Sequence, residues 1–441
     1  MSLLFVSIFL SGYLTQGLRL VPQYFALVPE LLSGIALLIV VGRVVSGRRV
    51  LLDRRYASFL GLFLFVLLFG FFAQSMSAGA VVSGIRNYAK CLPFFLLPLA
   101  YPFTRRQLAV QVGVLLVMLL IQTPLAFYQR FVQFASRMHT GDPIRGMTES
   151  SNSLSMLMIC AVAVFVALYL RRRIGLFVLL CAVAVYFLPT TINETKGTVV
   201  MLPIALVVPA IFMPKGSRSL RRMLPVAFIG VMALLLYAAV YDALIRYRHD
   251  GHDVGSFFTQ GYVETYLYSG AADGKDRYVG RIDSVVIASR MLSDDPLHLA
   301  FGLGAGNVST SSLPGFNGQF WTYYDRYGVA VTQVSSFLWE IGIVGLAAYL
   351  LLYAFVFRDA RALAKSDRPL AIYGQVWAAV VIIMTIALMY KPVFATNATS
   401  YLFWFYSGVV AREAYVLRQH QRAQRAAASV RVRLQHAGAG A

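Results

Sequence analysis

Four sets of residues in this chain have the types and spacing for chemistry on charged, sugar-like substrates. The first is basic: Lys196, Arg281, Arg277 and Arg145. A guanidinium grips phosphate oxygens two at a time, and the low dielectric beside a membrane strengthens that attraction. The plainer use of such residues is as interfacial anchors or in ion pairs, Lys196 with Glu194 for example. The second set is the run from Phe320 to Tyr327, where Trp321, Tyr323 and Tyr324 could form a sugar-stacking platform with Asp325 or Arg326 beside it; membrane belts use the same residue types. The third is the turn Gly302-Leu303-Gly304-Ala305-Gly306, which permits close backbone approach. It leads into Asn-Val-Ser-Thr-Ser-Ser rather than a helix of a βαβ unit, so it is no dinucleotide fingerprint. The fourth comprises Glu30, Lys90, Glu340 and Lys391, ionisable groups in or beside apolar segments, which are functional candidates by default. The lysines can also snorkel. Glu340 lies about one turn inside its segment.

Other chemistries find no support. The chain has no P-loop, no HExxH and no Ser-His-Asp order, and its six histidines show no metal spacing. Cys91, Cys160 and Cys181 all fall in apolar segments, which leaves no disulfide framework or zinc spacing.

The elements that must position these residues are apolar. Of 441 residues 59% are hydrophobic and 13% charged, against about 25% charged in soluble domains. The apolar blocks are long enough to cross a hydrocarbon core of ~30 Å. We place spans at 3–17, 24–43, 57–76, 86–103, 108–128, 153–170, 174–191, 197–213, 224–241, 335–357, 370–390 and 398–417. The expected fold is an all-α polytopic membrane protein of about twelve transmembrane helices with one large, partly helical extracytoplasmic loop between the ninth and tenth. The first span lacks a basic leader and a small-x-small cleavage site, so it is expected to stay.

Charge sets the orientation. With the N-terminus inside, the segments 43–56, 104–107, 171–173, 214–222, 358–369 and 412–441 hold 24 of the 39 basic residues and four acids, Asp53, Asp359, Asp367 and Glu413. The remaining 15 basic and 15 acidic residues cancel, so the net +20 lies on one side in short connections, as the positive-inside rule requires. These arginines imply topology and contact with anionic membrane lipids, not nucleic acid. The chain then divides into helices one to nine (1–241), a periplasmic loop (242–334), helices ten to twelve (335–417) and a basic cytoplasmic tail (418–441).

The long loop mixes seven basic and ten acidic residues with aromatic and aliphatic ones, and so is expected to fold. Asp276 to Leu292 reads as an amphipathic helix, with Ile282, Val285, Val286, Ser289 and Leu292 on one face. Asp294-Asp295-Pro296 is expected to end it. Two shorter outer connections are Gln129–Asn152, carrying Arg145 and Glu149, and the turn Asn193-Glu194-Thr195-Lys196-Gly197.

The order of several motifs then matters more than any one of them. Gly84-Ile85-Arg86-Asn87-Tyr88, Gly146 to Leu154 (GMTESSNSL), Thr195-Lys196-Gly197, Arg281 with Ala288, Pro296 to Gly306 (PLHLAFGLGAG) and Phe337 to Leu346 (FLWEIGIVGL) follow one another from about Val81 to Phe357. In this the chain resembles the O-antigen polymerase and O-antigen ligase superfamily (Wzy and WaaL). The resemblance implies a metal-independent glycosyltransferase with no cofactor, acting on undecaprenyl-diphosphate-linked oligosaccharide at the outer face of the bacterial inner membrane. It implies that Lys196 and Arg281, with Arg277, Arg145 and Arg86, hold the donor diphosphate. Asp325 and Glu340 become candidates for the base that takes a sugar hydroxyl proton. The ligases of the family carry a His shortly before the Glu-x-Gly stretch; Val331 to Ser336 has none, which favours a repeat-unit polymerase over a ligase acting on lipid A core. Chain-length control would need a partner protein. A transporter or lipid-oligosaccharide flippase is the rival of another class; Gly47 to Tyr56 lacks the loop motif of the commonest twelve-helix transporter fold.

Overall fold

A chain threaded through hydrocarbon finds no water for its peptide groups, so each apolar segment must close its hydrogen bonds on itself. In the computed structural model 78% of the chain is helix, and no strand occurs among the described residues. Those are residues 1–441 apart from 75, 136–140, 215–219, 249–253, 269–278, 311–315 and 439–441.

The first half runs α1 (Ser2–Gly12), α2 (Val28–Val45), α3 (Arg54–Ala73), α4 (Ala78–Ala89), α5 (Leu92–Ala100), α6 (Arg105–Tyr128), α7 (Ser151–Leu170), α8 (Leu176–Ile192) and α9 (Thr198–Ile211). It is followed by α10 (Leu220–Arg248), α11 (Gln260–Leu267), α12 (Arg281–Leu292), α13 (Pro296–Phe301), α14 (Trp321–Tyr324), α15 (Gln333–Ala364), α16 (Ala371–Ala387) and α17 (Asn397–Gly438). Six stretches are helical, long and apolar enough to cross a bilayer: Tyr24–Val45, Arg54–Ala73, Arg105–Gln133, Ser151–Leu170, Leu220–Leu244 and Gln333–Ala364. The protein is a multi-pass helical membrane protein.

Helices form at every apolar segment read from the sequence, with one break. The segment 86–103 is two helices, because Pro93 near the start of α5 cannot donate backward into α4. The carbonyl freed at the break, that of Lys90, accepts from Ser33 Oγ. Among the six candidate spans, α7 is the most enclosed: 78% of its apolar window is buried, against 22% for the stretch containing α2. It packs on α8, α9 and α16, while α15 packs on α16, α17 and α3.

One end of the bundle is tied by charge. Asp359 is fully buried and accepts from Arg55 at 2.6 Å, Arg418 at 2.5 Å and the Tyr56 hydroxyl at 2.9 Å. Arg418 also reaches Asp53 at 2.9 Å. The start of α3, the end of α15 and the middle of α17 therefore meet at the arginine-rich end.

At the other end, glycine decides the packing. Gly302, Gly304 and Gly306 have φ of 72°, 94° and 89°, a region that side chains disfavour. A Cβ at Gly302 would strike the backbone of Glu340, one at Gly304 the Met76 sulfur, and one at Gly306 the backbone of Ala80 and Gly84. The close approach that this turn permits is thus made to helices α4 and α15 and the connection before α4. Gly342, at φ 64°, kinks α15 where the backbone of Ala300 lies against it.

The loop helix differs from its expected form. It begins at Arg281, with Gly280 as N-cap, rather than at Asp276; residues 276–278, Arg277 among them, lie outside the described residues. Gly280 presses on the last carbonyls of α11, where a side chain has no room. Asp294-Asp295-Pro296 does end α12 but also starts α13: proline at a first helical position loses no hydrogen bond, and Asp295 accepts from Leu297 N at 2.8 Å.

Gly84→Ala and Gly306→Ala should each cost about 2–4 kcal/mol, since the added methyl meets backbone rather than a movable side chain. Gly113→Ala, whose Cβ meets nothing within 4 Å, should be neutral or gain up to ~1 kcal/mol as helix propensity predicts. Thermal unfolding in detergent measures all three; equal midpoints would remove the packing role of the glycine turn.

Candidate functional site

The site is assembled by amides buried in apolar helices. Gln122 and Gln129, seven residues apart on α6 and its π-helical extension, face the same way. Gln122 Oε1 accepts from Met147 N at 2.7 Å, and Gln129 Oε1 from Gly146 N at 2.7 Å and Arg145 N at 3.1 Å. These bonds hold the segment 141–150 over the bundle end. Asn193 does the same for the next turn: its Nδ2 donates to Ser151 O at 3.0 Å and Ser155 Oγ at 2.8 Å, and its Oδ1 accepts from Thr195 N at 3.2 Å. Glu194, with φ 57°, turns back to Arg130 at 2.8 Å. The expected alternative partner for Lys196 is therefore committed elsewhere.

Lys196 instead faces aromatic rings, with Nζ 5.1 Å from the Phe257 centroid and 5.7 Å from Tyr266. Arg281 stacks on the same Tyr266 at 3.8 Å and on Tyr390 at 4.9 Å, and its Nε donates to Tyr390 O at 3.2 Å. Two residues 85 positions apart are thus brought to one ring. Lys196, Tyr266, Tyr390 and Lys391 line a cavity of about 480 Å³ whose other walls include Val199, Val263 and Ile386. Arg281 stands behind its two tyrosines. Burial and the nearby Arg281 hold Lys391 below the ordinary lysine range, with Asp142 opposing.

Ser150 and Lys391 are shared with a second cavity of about 260 Å³, lined also by Asp142, Arg145 and Glu149. Glu149 accepts from Asn397 N at 2.6 Å. Burial pushes its carboxyl from 4.5 up to about 7, against the pull of Lys90, the Asn397 amide and Arg86. Behind it, Lys90 reaches Asn397 Oδ1 at 2.7 Å, and Arg86 pairs with Glu30 at 3.1 Å. Two of the ionisable residues flagged in apolar segments, Glu30 and Lys90, therefore meet behind Glu149, 4.0 Å apart.

The other sequence candidates lie apart from these cavities. Glu340 is buried and accepts from Ser309 Oγ, Tyr88, and the amides of Gly306 and Val308, so it pins the glycine turn. Trp321, Tyr323 and Tyr324 line neither cavity. Tyr324 packs on Trp339 at 4.6 Å, Tyr323 is 52% exposed, and Asp325 is exposed. Lys391 was flagged only as an ionisable group beside an apolar segment, and Glu149 gained no role from sequence reasoning although it stands within GMTESSNSL. The readable signal was Gln122 and Gln129, seven residues apart in the apolar stretch that ends α6 and runs into its π-helical extension.

No protein-family model matches the chain, and no curated protein matches it. Fold and site define a multi-pass helical membrane protein with a cationic, aromatic-walled cavity at the end opposite the Asp359 network.

The Glu149 shift fixes a stability window. The folded protein holds a proton between pH 4.5 and about 7 that the unfolded chain releases, so stability falls as pH rises through that window. Glu149→Gln removes this loss. Its unfolding midpoint should exceed that of the wild type at pH 8 and match it at pH 4; a pH-independent difference would exclude a perturbed carboxyl.

Proposed function

We propose that this protein is a polysaccharide repeat-unit polymerase of the bacterial inner membrane, with about twelve spans, its N-terminus inside and its cavities facing the periplasm. The observation that carries the reading is the meeting of Lys196, Lys391 and, behind its tyrosines, Arg281 around an apolar-walled cavity, next to a second one lined by Arg145, Glu149 and the same Lys391. Apolar walls suit a lipid carrier, clustered cations suit its diphosphate, and a carboxyl near neutrality suits a hydroxyl proton.

The acceptor hydroxyl oxygen attacks the anomeric carbon of the donor sugar, and the bond from that carbon to the diphosphate oxygen breaks. Glu149 takes the hydroxyl proton, because a base works best with a pKa near the operating pH. The lipid diphosphate leaves carrying the bonding pair, and Lys196, Lys391 and the Arg281 charge stabilise it. Such preorganised charge is usually the largest contribution to catalysis. In this reading Glu340 holds the glycine turn, and the aromatic run near 321–327 lines the approach of the sugar chain.

Purified protein supplied with lipid-linked repeats should yield a ladder of longer products. Lys196→Ala and Arg281→Ala should each reduce the rate at least tenfold. Glu149→Gln should lower it roughly 10²–10⁴-fold and abolish the rise in rate through pH 7. Full activity in Lys196→Ala, or an unchanged pH profile in Glu149→Gln, would sink this mechanism. Orientation has its own test: a cysteine at Tyr268, 46% exposed, in a Cys181→Ser background should label in intact cells with a membrane-impermeant thiol reagent. Labelling only after lysis would place the segment inside.

A further inference from the structure

A further cavity opens at the arginine-rich end and runs as far as Met156, which also lines the 480 Å³ cavity. It has a volume of about 1330 Å³ and is walled by α6, α7, α16 and α17, with Leu115, Leu119, Val164, Val376 and Met384 on its sides. Five arginines stand at its mouth: Arg105, Arg171, Arg172, Arg173 and Arg368, with Asp367 the single acid on the lining. From Met156 to Arg171, both on the lining, α7 rises about 22 Å, more than half of a ~30 Å hydrocarbon core.

The charge at the mouth is only partly compensated, with Asp367 on the lining and Glu413 near Arg368. Arg171 spends its bonds on neutral partners, Nε on Gln375 Oε1 at 2.6 Å and a terminal nitrogen on Ala364 O at 3.0 Å. Burial and the neighbouring Arg173 hold its guanidinium below its ordinary pKa, with Asp367 opposing. Arg105, Arg172 and Arg173 form no ion pair among the described residues, and Arg368 only approaches Glu413 at 3.9 Å. Arg172 has φ 61°, a left-handed conformation that a side-chain-bearing residue disfavours.

Two ligand types fail on half of this surface. A neutral hydrocarbon fills the walls and leaves the arginines unmatched. A free phosphate meets the arginines and leaves the walls empty. We propose that the cavity holds an anionic diacyl phospholipid from the arginine-side leaflet, its phosphate among Arg105, Arg171, Arg172, Arg173 and Arg368 and its chains along the apolar walls towards Met156.

Trp377 lines the same cavity and reports on the chains. The full-length protein in detergent should be quenched by phosphatidylglycerol with brominated chains at a half-saturation at least tenfold lower than by phosphatidylcholine with the same chains. The double substitution Arg105→Gln/Arg173→Gln removes two exposed charges and should raise the phosphatidylglycerol half-saturation roughly tenfold or more, at about 1 kcal/mol per charge near an anionic lipid. Trp377→Phe should abolish the saturable quenching. Equal half-saturation for the two lipids, an unchanged double variant, or quenching that survives in Trp377→Phe would each overturn the proposal.

Discussion

Everything in this architecture answers to the absence of water around the backbone. Helices satisfy that constraint alone, so what needs explaining is where they stop. The break between α4 and α5 is patched by the Ser33 hydroxyl. The entry to α15 donates its first amides to Leu388 O, at 2.9 and 3.2 Å, and the Gln333 side chain receives Phe394 N at 2.9 Å. The loops over α6 lean on Gln122 and Gln129. These interruptions are paired by polar side chains or backbone carbonyls of neighbouring segments, and those over α6 and at α15 lie at the end that carries the two smaller cavities. Irregular backbone in a membrane protein belongs where it lines a cavity, and here the two coincide.

The two ends of the bundle handle charge differently. At the arginine-rich end the acids are few and saturated: Asp359 alone binds two arginines and a tyrosine. At the opposite end Lys196 and Arg281 lie against aromatic rings beside the 480 Å³ cavity. The first arrangement fixes three helices together. The second keeps positive potential directed at a hollow.

Much of the scaffold was legible in linear order, because hydrophobic length and the placement of arginine are local properties. Segments such as 153–170 and 335–357 appear as α7 and α15 within a few residues at their starts. The site was less legible. Lys196 and Arg281 were readable as basic residues on outer connections, but their meeting at Tyr266 depends on three-dimensional packing. Glu149 looked like an ordinary loop acid, since nothing in sequence announces that Asn397 lies 248 positions away with its amide aimed at it. Glu340 drew notice as a charge inside an apolar segment, a correct reading of its burial; its partners Ser309 and Tyr88 are visible only in the fold. Pro296 was read for what it forbids before it and not for the helix it begins.

The stacking of Arg281 on Tyr266 has a consequence for exchange. An aromatic face attracts a guanidinium through its quadrupole and leaves the net charge intact. Carboxylate pairing would have cancelled the field and obliged an incoming anion to displace a bonded rival before docking. Here the arginine is already oriented, its Nε fixed on Tyr390 O, and among the described residues it forms no ion pair. If the site takes a lipid diphosphate as proposed, a preoriented arginine without a carboxylate rival would ease both its arrival and its departure.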